Sequence, residues 1–103
     1  MARVYVASPY SSDPENNTEL AIFYGDWIAN LGHTVYIPVL THYWHKLYPH
    51  DYEFWMKQDA EWLKLCDCVF RIAGESKGAD AEVALAESLN IPVYYSIGDL
   101  AKP

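Results

Sequence analysis

Basic residues are scarce in this chain. Seven Lys and Arg stand against fourteen Asp and Glu, for a formal net charge of -7 at pH 7. A protein of that sign has no long-range attraction for polyphosphate backbones or anionic lipid, so no nucleic-acid and no membrane partner is expected. Small anionic ligands stay open, because backbone N–H groups and hydroxyls can hold them locally. Cysteine is scarce too. Cys66 and Cys68 form a C-x-C without the second pair that a structural zinc site needs, and they read as reduced thiols. Long apolar runs are missing: nothing reaches the length of a membrane span, and the start "MARVYVASPY" is too short an apolar run for a signal peptide. A cytoplasmic protein is the expectation. Internal repeats and low-complexity linkers are missing as well.

What is present suits one compact domain over residues 1–103, since 51% of the chain is apolar, too much for disorder. "RVYVAS" (Arg3 to Ser8) reads as a strand ending in the loop "SPYSSDP". Ser12 or Asp13 can cap the helix that follows, with Pro14 suited to its first turn and Glu15 three residues after Ser12. Leu20, Tyr24, Trp27, Ile28 and Leu31 fall on one face of that helix, and Gly32 stops it. "HTVYIPV" (His33 to Val39) reads as a second strand, followed by an aromatic-rich loop. A second helix runs from about Tyr52 to Leu65, "CVFRIA" (Cys68 to Ala73) is a third strand, Ala79 to Leu89 a third helix and "IPVYYS" a fourth strand. Strands alternating with helices imply right-handed crossovers and a parallel sheet covered on both faces. The expected fold is therefore α/β: a Rossmann-like or flavodoxin-like three-layer sandwich with a mostly parallel sheet of four to five strands. Ligands bind such sheets beyond the carboxyl ends of the strands, which places function in "SPYSS", the loop after Pro38, "AGESKG" and "SIGD".

Two carboxylates interrupt apolar stripes. Asp59 lies among Trp55, Trp62, Leu63 and Cys66 on the second helix, and Glu82 among Ala79, Ala86 and Leu89 on the third. A buried carboxylate without a partner is costly. Each could serve a backbone turn or sit at the mouth of the core, but two of them flanking the same strand favour chemistry. Just ahead of Glu82 stands "SKG". Ser76 with the N–H groups around Gly78 and Ala79 would make an anion site at a helix N-terminus. Read alone, Ser76 is an N-cap and Gly78 a turn residue.

The segments "SKGADAEVALAESLNIPVYY", "VYVASPYS" and "FWMKQDAEWLKLCDCVF" together resemble the nucleoside 2-deoxyribosyltransferase-like superfamily. They are most similar to its short bacterial and phage members, which open with "ASPYS". The resemblance covers nearly the whole chain. It implies that Glu82 attacks C1′ of a nucleoside or nucleotide and displaces the base, leaving a glycosyl ester. It also implies that Asp59 protonates or orients the departing base. Transferases of the superfamily carry an Asp six residues before the Glu; this chain has Ser76 there. In that respect it is similar to the 2′-deoxynucleoside 5′-monophosphate N-hydrolases, whose Ser holds the 5′-phosphate. Ser8, Tyr10 and Ser11 fall in the phosphate-facing loop, which here lacks the family's glycine-rich form. The function implied is hydrolysis of the N-glycosidic bond of a (deoxy)nucleoside 5′-monophosphate. The alternatives are a nucleoside deoxyribosyltransferase and a non-catalytic nucleotide-binding module. No cofactor is implied.

Tyr43, Trp44, Tyr48, Tyr52, Phe54 and Trp55 crowd one segment. They suit a flat slot for a base, Trp55 above all, or an interface in a homodimer or larger assembly. His42, His45 and His50 lack a further ligand at fixed spacing, so no metal is expected. They read as surface or substrate-contacting residues, with His42, just past a strand end, the best placed.

Overall fold

A computed structural model describes residues 1–101. Four strands form one sheet in the order β2-β1-β3-β4, every pair parallel. They are β1 (Arg3–Ala7), β2 (Thr34–Tyr36), β3 (Cys68–Arg71) and β4 (Val93–Tyr94). The helices are α1 (Pro14–Asn30), α2 (His42–Leu47), α3 (Tyr52–Leu63), α4 (Lys77–Ser88) and α5 (Ile97–Leu100), with a 3-10 turn at Pro38–Thr41. This is the α/β sandwich expected from the alternation, with four all-parallel strands. Among the described residues no helix is long and apolar enough to cross a membrane.

The period of two along each strand sorts side chains onto two faces. Val4, Val6, Phe70 and Ile72 pack against Ala21 and Ile28 of α1 and against Leu100 of α5. Tyr5, Ala7 and Val69 turn the other way, onto Leu63 of α3 and Ala79 and Ala86 of α4. Central strands flanked on both sides are buried on both faces, which is why β3 reads as an unbroken apolar run up to Arg71.

Several elements differ from the sequence expectation. The buried stripe of α1 is Thr18, Ala21, Gly25 and Ile28, whereas Leu20 and Trp27 are exposed. Small residues let the helix lie close to the sheet edge. A β-carbon on Gly25 would come within 2.3 Å of Ile37 Cδ1. Asp13 occupies the N-cap position of α1 but makes no backbone capping bond; its carboxylate accepts from Asn16 Nδ2 at 2.7 Å instead. Glu15 likewise turns away from the helix start, toward His42 and Lys46. The second strand stops at Tyr36, because Pro38 has no N–H to donate and opens the 3-10 turn. The aromatic loop contains α2, whose signal is hidden by its short length. Leu89 is exposed at the end of α4, and Trp62 is half exposed, stacked on Tyr36 with ring centroids 5.4 Å apart. Asn90, at φ 59, takes the left-handed turn that ends α4.

Candidate active site

The loops that leave the carboxyl ends of β1 and β3 abut. Gly74 has φ +130, and a β-carbon there would sit 2.9 Å from Pro9 Cγ. Arg71 reinforces the second loop. Its buried guanidinium donates to the carbonyls of Ile72 and, at 2.9 Å, Gly74, and pairs with Asp80 of α4 at 2.9 Å. Ser76 then caps α4, its Oγ accepting from the Ala79 N–H at 3.1 Å. These contacts fix the start of α4, and one turn later Glu82 projects under the sheet edge.

A cavity of about 420 Å³ opens at this edge. All nine residues singled out in the sequence line it: Ser8, Tyr10, Ser11, His42, Trp55, Asp59, Ser76, Gly78 and Glu82. Glu82 is only 8% exposed. Its Oε2 accepts a short hydrogen bond from the Tyr5 hydroxyl, which reaches it from the middle of β1. Burial pushes the Glu82 carboxyl up to about 8; the Tyr5 bond pulls it down, nearby Asp59 pushes it further up, and Arg71 draws it down. Burial also pushes Asp59 up to about 6. Burial, with the Glu82 and Asp59 charges beside it, drives Tyr5 far above the phenol range, so Tyr5 acts only as a donor.

Other groups are set for a guest. Ser8 Oγ and Asp59 Oδ1 are buried without a hydrogen-bond partner among the described residues. Buried polar atoms of that kind are rare in a finished core and common where a ligand supplies the partner. Ser76 has spent its acceptor on the helix and keeps its O–H to give. Gly78 lines the cavity at the start of α4. Tyr52 Oη and Met56 Sδ of α3 lie 3.6 and 3.7 Å from where its β-carbon would be, which is ordinary contact.

The histidines are drawn into separate contacts. Tyr10 Oη and His42 Nδ1 are 2.6 Å apart, and His42 Nε2 meets Glu15 at 3.1 Å. His45 Nδ1 accepts from the Trp55 indole at 2.8 Å, and His50 stacks on Phe54 at 3.8 Å. Among the described residues no three His, Cys, Asp or Glu are grouped to hold a metal ion.

Tyr5 is the residue that sequence reasoning missed. A signal was available: in "VYVA" it is the one polar atom carrier inside a central strand, and a buried phenol needs a partner. Met56, Thr41 and His45 also line the cavity.

A family model matches residues 2–96, nearly the whole chain. The chain belongs to the DUF7768 family. That family is described only as a domain of unknown function. A solved 2-deoxyribosyltransferase from the psychrotolerant bacterium Bacillus psychrosaccharolyticus is similar to this DUF7768 chain, with a TM-score of 0.66 and 26% identity. The match covers 89% of this chain and 69% of that one. No curated protein matches. The likeness supports the deoxyribosyltransferase-like superfamily. It does not reach the monophosphate-hydrolase branch, and it favours transferase over hydrolase.

Proposed function

We propose that this DUF7768 domain cleaves the N-glycosidic bond of a 2-deoxyribonucleoside and passes the sugar to a second base. The observation that carries the proposal is the pair of carboxyls, Glu82 and Asp59, in one largely apolar cavity, with Tyr5 holding Glu82. The likeness to a 2-deoxyribosyltransferase supports it.

Ionised Glu82 attacks C1′ through a carboxylate oxygen, and the C1′–N bond breaks with its electron pair leaving on the base. The proton on Asp59 goes to the base, which departs neutral. A second base then attacks C1′ and returns the electron pair to Glu82 and a proton to Asp59. Tyr5 stabilises the ionised nucleophile, and Ser8 offers a hydroxyl to the sugar or its 5′ substituent. The reactive form has the proton on Asp59 and none on Glu82. It is the minor arrangement of a singly protonated pair, and it is available between about pH 6 and 8.

A second reading, hydrolysis of a nucleoside 5′-monophosphate, draws on one feature. Ser8 Oγ is unpartnered, and Ser76 caps α4 at the same cavity, where a phosphate would meet two hydroxyls and the helix N-terminus. Incubation of one deoxynucleoside with a different free base decides between the readings. Exchange supports transfer; release of base with no exchange supports hydrolysis. If the monophosphate is turned over faster than the nucleoside, and Ser76→Ala narrows that gap by about 1–2 kcal/mol, the phosphate reading takes over. If neither product forms and a nucleotide binds unchanged, the domain is a binding module.

We also propose a homodimer or larger assembly. Leu40, Tyr43, Leu47 and Tyr48 crowd one exposed segment beside the cavity. A monomer in light scattering at micromolar concentration would overturn that assignment.

A further inference from the structure

Trp55 and His45 form a hydrogen bond that changes what the cavity can recognise. His45 lies in the last turn of α2 and lines the cavity together with Trp55, Met56 and Asp59. Its Nδ1 accepts twice: from the Trp55 indole N–H at 2.8 Å and from the His50 backbone N–H at 3.3 Å. Two donors on one ring nitrogen require a lone pair there, so the imidazole hydrogen sits on Nε2. Among the described residues nothing accepts from Nε2. The Trp55 indole N–H is meanwhile consumed. Its ring is left as a flat apolar wall, boxed by Trp44 with ring centroids 4.9 Å away and by Phe54 at 4.9 Å.

We infer that His45 is the specificity-determining donor of the site: Trp55 and the His50 backbone lock its tautomer so that Nε2–H reads an acceptor on the base stacked at Trp55. This rests on the nucleoside reading of the cavity. Asp59, one turn further along α3, delivers or holds a single proton, and Thr41, His42, His50 and Tyr52 also line the cavity. A base that offers His45 a carbonyl oxygen or a bare ring nitrogen gains a bond to a donor already oriented. A base that offers an amino group or a C–H there sets a donor against a donor, or leaves Nε2–H unpaired. A site built to bond a polar group discriminates against the analogue lacking it, because a half-buried donor then loses its partner. The substrate class is therefore nucleosides whose base turns an acceptor, a carbonyl oxygen or a bare ring nitrogen, toward α2.

Two measurements test this. The first needs no activity. Long-range ¹H–¹⁵N correlation of the free protein should show His45 with a bare Nδ1 and a protonated Nε2; the opposite tautomer or an imidazolium at neutral pH overturns the lock. The second is binding to Glu82→Gln, which holds substrate without consuming it. 2′-Deoxyinosine should bind roughly tenfold or more tightly than 2′-deoxyadenosine or 7-deaza-2′-deoxyinosine, whichever lacks the acceptor that is read. Adding His45→Phe should erase that difference. His45→Gln, which can accept from Trp55 and still donate, should keep part of it and guards against a folding defect in the phenylalanine variant. Equal binding of all three nucleosides, or a difference that survives His45→Phe, overturns the inference while leaving the proposed function standing. If none of the three binds, the inference fails; the proposed function fails with it only if pyrimidine deoxynucleosides also give neither binding nor base exchange.

Discussion

The two faces of the sheet are built from the same strands and carry opposite tasks. Toward α1 the strands present Val4, Val6, Phe70 and Ile72, and the helix answers with Ala21 and Ile28. Toward α3 and α4 they present Tyr5, Ala7, Val69 and Arg71, and the helices answer with Leu63, Ala79, Glu82 and Ala86. The first face is apolar packing and stabilises by area. The second places a phenol, a guanidinium and a carboxylate where burial is nearly complete, and it tolerates them through the Tyr5–Glu82 and Arg71–Asp80 bonds. One face holds the fold, and the other gives up stability to keep a carboxyl buried at the cavity. The difference comes from alternate residues on β1 and β3, a single step in the chain.

Substitutions should separate the faces. The largest effect belongs to Glu82→Ala, which removes the oxygen proposed to attack C1′. Turnover should fall at least roughly a thousandfold while circular dichroism stays native, as for other covalent nucleophiles. Retention of more than about a tenth of wild-type turnover would exclude Glu82 from that role.

Tyr5→Phe should come next, a tenfold to hundredfold loss in kcat/KM, the scale of about 1.5–3 kcal/mol for a hydrogen bond to a charged group. The wild-type pH profile should be a bell with limbs near 6 and 8. Without the Tyr5 bond the Glu82 limb should move to higher pH. A profile unchanged in Tyr5→Phe would mean that the bond positions nothing in the reaction.

On the other face, Ile28→Ala deletes a fully buried side chain. It should cost about 2–5 kcal/mol in denaturant unfolding and leave kcat/KM of the folded fraction within about twofold. A large catalytic loss there would break the division of labour between the faces.

Stability should also respond to pH through the second face. Folded Glu82 and Asp59 titrate near 8 and 6, above their ordinary carboxylate values, so between about pH 4 and 8 the folded state holds more protons than the unfolded one. Stability is therefore present at the acid end of that window and lost as pH rises through it. Glu82→Gln, which needs no ionisation, should raise Tm at pH 8, and the gain should shrink toward zero below about pH 4.5. A Tm difference independent of pH would exclude a burial penalty on the charge.

Trp27→Ser should be the smallest change, within about 0.5 kcal/mol, because the ring is 46% exposed on the outside of α1. A larger loss would mean that this surface is covered in solution.

The candidate site was legible where chemistry conflicted with pattern. Asp59 and Glu82 stand out because a carboxylate in an apolar stripe breaks a local rule, and such breaks collect at functional sites. Ser76 stood out because a helix start has its own grammar, and its Oγ does cap Ala79. The face of α1 was right at Tyr24, Ile28 and Leu31, which pack on the core, and wrong at Leu20 and Trp27, because close packing selected the small residues Thr18, Ala21 and Gly25 instead. The helix α2 was hidden because six residues are too few to show a period of 3.6.

By itself the chain determined which residues alternate along each strand, that Ser76 can cap a helix, and that a carboxylate lies in the first turns of that helix. Those are local matters, set by backbone period and capping within a few residues. Only the tertiary structure decided that Tyr5 meets Glu82 across 77 positions, that Pro9 closes on Gly74, and that the Trp55 indole donates to His45 Nδ1. Those contacts depend on strand order and on how far each helix slides along the sheet. That is settled when side chains of different size compete for the same interior, which no window of sequence contains.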